Sequence, residues 1–464
     1  RYIDAAVALA KRRNPASDPS VYDFLRDVLL LEPAPEVGDA ERAERCRFAM
    51  KFQQLTGPVM AKGVEDTAFY IYNRLVSLNE VGGDPAIFGV GPDLFHRHNA
   101  GRRRRWPHEL LASSTHDTKR SEDVRARIDV LSEMPRDWRA ALNRWTRLNR
   151  RHHGRVEGAS APARNDEYLF YQTLLGAWPF DAARPDAEFV DRIDAFMLKA
   201  VREAQVHTSW INPNEAYEAA LAAFVRGVLG DGQDAFFDDF AGLRQTVAHL
   251  GAFNALAQQL LKLTAPGVPD IYQGTELWDF SLVDPDNRRP VDYAVRSRLL
   301  KALRRRKPSP ALTTELIEKK ADGRIKLYLT DRALSCRADA PDLFRDGDYR
   351  PLHATGLRQD HVVAFARRLG EREIVVAVPR LVARLVRPPD ARVGEAAWGD
   401  DTLLVPDAGA GVRYRDRFTG ELVTARSGPD GAVLALADIF AAFPAALLER
   451  LDAADGAADA GEPA

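Results

Sequence analysis

Cysteine is scarce in this 464-residue chain, and so are long apolar runs. The two cysteines, Cys46 and Cys336, lie far apart and show no CxxC spacing, so we expect neither a disulfide framework nor a zinc site. This cysteine usage favours a reducing compartment, and we therefore predict a cytoplasmic location. No apolar run approaches the ~20 residues that a membrane-spanning helix needs.

Net charge and cofactor motifs are also missing. The 65 Lys and Arg residues nearly balance the 67 Asp and Glu residues, for a net charge of −2, which argues against nucleic-acid and membrane partners. The GxGxxG, Walker and HExxH patterns do not occur. The pairs His96/His98 and His152/His153 lack metal-ligand partners at sensible spacing. We therefore expect no cofactor and no metal.

The residues that are present predict two or three globular domains, since 45% are hydrophobic and 28% are charged. Helical periodicity opens the chain, returns in a long helical excursion from 133 to about 250, and predicts a closing helix near Arg296–Arg306. Between these helices, three short apolar runs bounded by Gly, Pro or a loop predict buried strands. The three runs are Thr56–Lys62, Leu110–Thr115 and Gly267–Tyr272.

After Pro310 short β-rich runs separated by Gly, Pro and Asp predict a small antiparallel sandwich. The predicted strands are Arg324–Thr330, His361–Arg367, Glu373–Val378, Thr402–Val405 and Ala432–Leu436. The Ala-, Asp- and Gly-rich end of the chain, 451–464, predicts a disordered tail.

The segment SSTHDTKRSED, Ser113–Asp123, places the pair His116-Asp117 where the second predicted strand gives way to a loop. Barrels of the (β/α)₈ type keep catalytic residues at such strand ends. The alternative is that Asp117 caps the following helix. The charged residues that follow the pair favour the functional interpretation.

A second segment, TAPGVPDIYQGTE, has the same order of strand and loop and ends in Glu276. An ion pair or a helix cap is at least as good an interpretation of Asp270 and Glu276 as contact with a ligand. Downstream, SLVDPDNRRPVDY concentrates Asp286, Asn287 and Arg288 in one short loop, which is either a solvated turn or the rim of a site.

In order and wording these segments resemble the α-amylase superfamily, and within it the maltooligosyltrehalose synthase family. The motifs that carry the resemblance are MAKGVEDTAFY, STHDTKRSED, GVPDIYQGTE, LVDPDNRRPVD and YRDRFTG, and they span nearly the whole chain. The fold it implies is α/β plus all-β: the last strands of a partial (β/α)₈ TIM barrel with a helical insertion, then a C-terminal antiparallel β-sandwich.

The resemblance divides the chain into five regions. They are a barrel portion at 1–132, the helical insertion at 133–250, the last barrel strand and closing helix at 251–309, the sandwich at 310–450 and the tail at 451–464. Three strands cannot close an eight-stranded barrel, so we expect five strands upstream of Arg1. The nucleophile and the proton donor of the family are expected there too, and the chain alone is expected to be inactive.

The activity implied is an intramolecular transglycosylation that turns the reducing-end α-1,4 linkage of a maltooligosaccharide into an α,α-1,1 linkage, in trehalose biosynthesis. The family pattern places the third, supporting carboxylate at Asp117, which makes it the catalytic residue of this chain. Substrate contacts are implied for His116, Lys62, Glu65, Asp66, Lys119, Arg120, Glu276, Asp286, Asn287 and Arg288. A buried ion-pair network explains Lys62, Glu65 and Asp66 equally well.

Two other functions stay open from the sequence. A plain α-glucan hydrolase would share Asp117 and the GVPDIYQGTE strand but has no reason to carry MAKGVEDTAFY. A fragment without the nucleophile could also be a non-catalytic glucan binder. The string GLRQDH imitates the superfamily's nucleophile motif at Asp360, but it precedes a predicted strand and lies downstream of Asp117, so we predict a turn residue there.

Overall fold

The computed structural model describes residues 2–32, 37–386 and 395–451. The chain forms two compact units, Arg1–Tyr70 and Ile71–Ala464. Nearly all of the predicted tail, from residue 452 onward, lies outside the described residues. The five predicted domain boundaries stay predictions.

The first unit is helical. Its elements are α1 Tyr2–Arg13, α2 Pro19–Leu30, α3 Asp39–Met60, a π-helix at Ala61–Ala68 and the start of α4, Phe69–Ile71. Helix α2 begins where the Asp18 side chain accepts a hydrogen bond from the Ser20 N–H at 2.9 Å. That contact satisfies a backbone donor that the helix itself leaves unpaired.

The strand predicted at Thr56–Lys62 is wrong, because these residues end α3 and enter the π-helix. Pro58 lies inside α3, where it removes one backbone hydrogen bond. The helix then continues in π geometry at Ala61–Ala68. Periodicity alone does not separate a short apolar run in a helix from one in a strand.

The first part of the second unit carries most of the helices. Its elements before residue 310 are α5 Pro92–Arg105, β1 Leu110–Leu111, α6 Glu122–Asp129, α7 Pro135–Asn149, β2 Gly154–Val156, β3 Ala159–Ala161, α8 Arg164–Ala177, α9 Ala187–Ala204, α10 Glu215–Leu229, α11 Asp234–Thr264, β4 Val268–Pro269 and α12 Tyr293–Arg304. Strands β2 and β3 form an antiparallel pair.

Strands β1 and β4 are short parallel neighbours, although a long helical segment separates them in the chain. Leu110 pairs with Val268 and Leu111 with Pro269. The turn from α11 into β4 needs Gly267, whose φ is +125° and whose missing Cβ would lie 2.8 Å from the Glu109 carbonyl oxygen. The two loops that follow β1 and β4 therefore leave the same edge of the sheet.

The rest of the second unit begins with helices and continues as sheets. The helices are α13 Pro310–Glu318, α14 Arg324–Asp339, α15 Pro341–Asp346, α16 Glu395–Trp398 and α17 Leu436–Ile439. The strands are β5 Asp348–Leu352, β6 Ala354–Thr355, β7 Val362–Leu369, β8 Arg372–Pro379, β9 Thr402–Leu404, β10 Arg413–Asp416, β11 Leu422–Thr424, β12 Arg426–Gly428, β13 Gly431–Ala435 and β14 Ala446–Arg450.

The structure confirms an architecture of helices combined with antiparallel sheets. One sheet has six strands in the order β11-β10-β14-β8-β7-β5, and the other has four in the order β12-β13-β9-β6. The strand predicted at Arg324–Thr330 is wrong, because these residues begin helix α14. Its apolar residues are nearly all buried, which hides the helical period and imitates a buried strand.

One hydrophobic cluster joins the helical part of the second unit to the six-stranded sheet. Leu260 of α11, Leu329 of α14 and Phe365 of β7 are all fully buried within it. Long-range packing of this kind, more than helix propensity, stabilises helices in proteins. The cluster fixes α11 and α14, which contribute side chains behind the loop after β1.

The described residues contain neither a membrane-spanning helix nor a metal-binding group of His, Cys, Asp and Glu side chains. None of the helices within 2–32, 37–386 and 395–451 combines the length and apolar character needed to span a membrane. Within the same residues, no group of three or more His, Cys, Asp and Glu side chains is arranged to hold a metal ion.

Candidate active site

The loop after β1 folds into a tight turn, which we call the Asp117 turn, residues 115–118. The Asp117 N–H donates to Thr115 Oγ1 at 3.2 Å, and the Thr115 N–H donates to Thr118 Oγ1 at 3.0 Å. Thr118 Oγ1 in turn donates to the Thr115 carbonyl at 2.7 Å. Because threonine side chains satisfy the backbone of this turn, the Asp117 carboxylate stays available, with 48% of its side chain exposed.

The residues after the turn bind a carboxylate that the sequence did not single out. The N–H groups of Lys119 and Arg120 donate to the Glu80 carboxylate at 2.8 to 3.2 Å, and Arg125 Nη1 donates to it at 2.9 Å. Glu80 belongs to the Gly-rich loop NEVGGDP, which carries no recognisable site pattern. Its contacts with Lys119, Arg120 and Arg125 join residues that are distant in the chain, so they exist only in the folded structure.

Lys119 and Arg120, both predicted to contact substrate, are buried. Lys119 Nζ lies 3.6 Å from Asp117 Oδ1, so it is the charged neighbour of the exposed carboxylate. The Arg120 guanidinium lies 5.5 Å from the centre of the Phe196 ring, and its Nη1 donates to the Val76 carbonyl at 3.5 Å. Lys119 therefore stands beside the candidate site, whereas Arg120 packs into the protein behind it.

The loop between β4 and α12, residues 283–289, lies against the Asp117 turn and is called the aspartate loop. The side-chain amide of Asn287 donates to the carbonyls of Thr115, His116 and Thr118 at 3.2 to 3.4 Å. Arg288 donates to the His116 carbonyl at 3.1 and 3.3 Å. Asn287 and Arg288, both predicted to contact substrate, thus lie at the candidate site, where their side chains hold the backbone of the Asp117 turn.

Asp286 and Glu276, the other predicted contacts after β4, form ion pairs with arginines. Both oxygens of Asp286 accept from Arg192 of α9 at 2.8 Å. Burial raises the pKa of Asp286, but the hydrogen bonds and charge of Arg192 outweigh burial and lower it overall. Glu276 accepts from Arg296 of α12 at 3.0 Å. The structure shows the ion pair that was the sequence alternative for Glu276.

A buried cluster of charges lies at the start of α6, immediately after the turn. Lys326 of α14 donates to Glu122 at 2.7 Å and to both oxygens of Asp123 at 2.9 Å. Lys262 of α11 donates to Ser113 at 2.7 Å and lies 3.4 Å from Glu122. We call Glu122, Asp123, Lys262 and Lys326 the buried charge cluster.

Burial and pairing act in opposite directions in the buried charge cluster. Burial raises the pKa of Glu122, but Lys326 and Lys262 outweigh it and lower that pKa overall. Burial raises the pKa of Asp123, and the adjacent charge of Glu122 adds to the increase although Lys326 opposes it. Glu122 and Asp123 share the Lys326 ammonium group, and Lys262 pairs with Glu122 as well, so the cluster anchors the start of helix α6.

The remaining predicted contacts are His116 and three residues of the first unit. His116 is exposed at the tip of the Asp117 turn. In the first unit, Lys62, Glu65 and Asp66 lie on the π-helix, and Lys62 Nζ lies 2.5 Å from Asp66 Oδ2. Lys62 and Asp66 therefore form an ion pair in which 76% of the Lys62 side chain and 23% of the Asp66 side chain are exposed.

The Asp117 turn can present a rigidly held negative charge, the Asp117 carboxylate, to a ligand. Asp117 sits on a turn whose backbone is bound by its own threonines, by Asn287 and by Arg288. A rigidly placed charge of this kind stabilises positive charge that develops in a transition state. Gly274 and Asn287 line a cleft of 560 Å³.

Curated proteins and solved structures similar to this chain agree with one another. Two relatives named "Putative maltooligosyl trehalose synthase", from two strains of Mycobacterium tuberculosis, are 42% identical over 405 residues. The match covers 87% of this chain and 45% of each relative. The resemblance to maltooligosyltrehalose synthases is confirmed. No family model matches the chain.

Solved maltooligosyltrehalose synthases extend the agreement to the fold. The enzyme from Arthrobacter ramosus matches with a TM-score of 0.75 and 36% identity, over 97% of this chain and 51% of that one. The "hypothetical maltooligosyl trehalose synthase" of Sulfolobus tokodaii matches with a TM-score of 0.65 and 30% identity, over 92% of this chain and 53% of that one. This chain therefore spans about half the length of the maltooligosyltrehalose synthases that it matches.

Proposed function

We propose that the protein carrying this chain is an intramolecular transglycosylase. It converts the reducing-end α-1,4 linkage of a maltooligosaccharide into an α,α-1,1 linkage, in trehalose formation. The observation that carries the proposal is the 42% identity with maltooligosyl trehalose synthases over 405 residues. Substrate and product contain the same atoms, so the reaction is an isomerisation and the enzyme is a glucosylmutase.

Strands β1 and β4 are proposed as the last two strands of a partial (β/α)₈ barrel. Their parallel register supports this assignment, as does the route of α11 directly into β4. Both strands end at the edge from which the Asp117 turn and the segment leading to Glu276 depart. Active sites of (β/α)₈ barrels lie at this edge of the strands. The sheets that follow residue 347 are the proposed sandwich.

The proposed chemistry is a double displacement at the anomeric carbon. A carboxylate nucleophile expels the reducing-end glucose, which a proton donor protonates, and a covalent glycosyl-enzyme forms. The anomeric hydroxyl of the released glucose then attacks the anomeric carbon in place of water, returns its proton to the proton donor, now acting as a base, and releases the nucleophile. Two successive inversions retain the configuration. We place the nucleophile and the proton donor in the part of the relatives' length that this chain does not span.

Asp117 has the supporting role in this scheme. Its carboxylate faces the oxocarbenium-like transition state and stabilises its positive charge, while His116 hydrogen-bonds the same sugar. Lys119, 3.6 Å from Asp117 Oδ1, orients the carboxylate. Lys62, Glu65 and Asp66 are proposed to hydrogen-bond the released glucose, whose retention distinguishes a synthase from a hydrolase.

The test is product analysis with maltopentaose. The complete protein should consume reducing ends and form a non-reducing trehalosyl end, whereas a hydrolase would create new reducing ends. The 464-residue chain alone should give no turnover, because neither displacement has its carboxyl partner. Turnover by the chain alone in the usual range of ~1–10³ per second would contradict that part of the proposal.

A further inference from the structure

We propose a second carbohydrate site, centred on Trp210, that binds the α-1,4-linked glucan chain away from Asp117. The site is a cleft of 840 Å³ between helix α9, the loop 207–213 and the aspartate loop. The choice of an α-glucan as its ligand rests on the proposed function. The cleft itself and its aromatic platform rest on the contacts described below.

Trp210 is an exposed aromatic side chain that the protein holds in place. The residue is 54% exposed, and the Arg202 guanidinium carbon lies 4.9 Å from the ring centre. Arg202 is itself fixed by two hydrogen bonds to Glu218, of 2.8 and 2.6 Å. An arginine stacked on indole adds a cation–π attraction that restrains the ring. The exposed part of Trp210 is therefore a positioned surface.

The loop that carries Trp210 is fixed by its own polar residues. The Asn212 N–H donates to Ser209 Oγ at 2.9 Å, and the Asn214 N–H donates to Thr208 Oγ1 at 2.9 Å. Asn214 then caps helix α10 by accepting from the Tyr217 N–H at 3.1 Å. These hydrogen bonds fix the backbone of the loop, so the exposed Trp210 side chain is held at a defined position.

The cleft beside Trp210 combines an apolar floor with a charged rim. Phe196 and Val283 line it from below and are buried. Lys199 and Asp284 form one edge, joined by a 2.8 Å hydrogen bond. A pyranose ring presents C–H groups on its faces and hydroxyl groups around its edge, so it matches an aromatic platform bordered by charged hydrogen-bonding groups.

Shape and continuity favour a glucan over a protein partner. A volume of 840 Å³ lies within the range of small-molecule clefts, ~300–1,000 Å³, whereas protein partners usually cover a broad surface. The aspartate loop lines this cleft with Asp284 and Asp286, and it holds the Asp117 turn with Asn287 and Arg288. A maltooligosaccharide engaged at the turn therefore has a neighbouring surface along which its other residues can lie.

The experiment measures maltoheptaose affinity by isothermal titration calorimetry, using the 464-residue chain and its variants. Trp210→Ala should weaken binding about tenfold and Trp210→Phe by less than about threefold, in line with the size of aromatic contributions to binding. Ile211→Ala is the matched control, because Ile211 is 96% exposed on the same loop and does not line the cleft. It should leave the affinity unchanged.

Three results would overturn the proposal. They are no binding of maltoheptaose by the wild-type chain, an unchanged affinity in Trp210→Ala, and an equal loss in Ile211→Ala, which would point to a general disturbance of the loop. Equal affinity for the β-1,4-linked cellohexaose would overturn the choice of ligand. Failure of the proposed function gives a different result, since the complete protein would then lack trehalosyl product while the Trp210 dependence of binding remained.

Discussion

Asp117 and the pair Glu122–Asp123 belong to one short segment but occupy opposite environments. The side chain of Asp117 is 48% exposed, whereas those of Glu122 and Asp123 are 1% and 2% exposed. The exposed carboxylate sits on a turn held by threonine hydroxyls, Asn287 and Arg288, and the buried pair is held by the ammonium groups of two helices. The chain thus separates a solvent-exposed charge from the buried charges that fix the start of helix α6.

Removal of the buried Lys326 cation is expected to have the largest effect, a loss of folding stability. In Lys326→Met, Glu122 and Asp123 would remain buried without their main partner, which typically costs about 3–5 kcal/mol. The free energy of unfolding, measured by urea titration, should fall by that amount. Lys319→Met is the matched control, because Lys319 is 63% exposed and its change should stay within ~0.5 kcal/mol. Equal losses in both variants would remove the distinction between buried and exposed charges.

Loss of the exposed charge should affect turnover and spare stability. In the complete protein, Asp117→Asn should lower kcat ~10²–10³-fold, because a preorganised charge facing the transition state is gone. Thermal unfolding should be nearly unchanged, since the side chain is half exposed. Near-normal turnover in this variant would remove Asp117 from the active site.

A change in the aspartate loop tests whether the turn must be held. Asn287→Ala removes the amide that donates to the carbonyls of Thr115, His116 and Thr118. We expect kcat of the complete protein to fall about tenfold, because small displacements of a catalytic group are costly. KM should change little if Asn287 acts through the turn. A large rise in KM with unchanged kcat would instead assign Asn287 a direct contact with substrate.

Glu133 provides an intermediate case, a partly buried carboxylate that accepts a hydrogen bond from the Ala383 N–H at 3.0 Å. Burial raises the pKa of Glu133 to about 7, and Arg384 and Arg380 do not fully compensate. The folded state therefore binds this proton more tightly than the unfolded state, so the stability that Glu133 contributes should fall as pH rises from about 4.5 to 7. Glu133→Gln should flatten this part of the pH profile by ~1–2 kcal/mol, measured by urea unfolding at several pH values. An unchanged slope would assign the dependence to other groups.

The smallest effect is expected at Asp360, the residue in the imitation of the nucleophile motif. It lies on a 3₁₀ turn, Gln359–His361, and its carbonyl accepts a hydrogen bond from Arg380 at 2.6 Å. Asp360→Asn should change kcat of the complete protein by less than about threefold. A collapse of activity with an intact fold would show that the motif is functional after all.

The Asp117 turn could be predicted from sequence because strand ends carry a positional meaning. A carboxylate directly after a buried strand lies at the edge where such folds place functional groups. Glu80 was missed for the opposite reason. It lies far from Lys119 in the chain, and its bonds to the Lys119 and Arg120 N–H groups depend on tertiary folding.

Both wrong strands share a physical cause. Thr56–Lys62 and Arg324–Thr330 are short apolar runs, and their local pattern is compatible with either a strand or a buried helix. The structure extends the second run to Asp339 as one helix, since its apolar residues pack into the cluster around α11. The local sequence is compatible with a helix and with a strand, and tertiary packing selects the helix.

The bridge between the two loops has a consequence for engineering and for evolutionary drift. Arg120 and Leu282 form an isolated antiparallel bridge, the Ser121 N–H donates to the Ser281 carbonyl at 3.0 Å, and the Asp279 N–H donates to Asp123 at 2.8 Å. An insertion or deletion in one loop would shift its pairing with the other loop by one residue. The paired side chains would then point to the opposite side. The loops after β1 and β4 therefore form one structural unit, and both should be exchanged or randomised together.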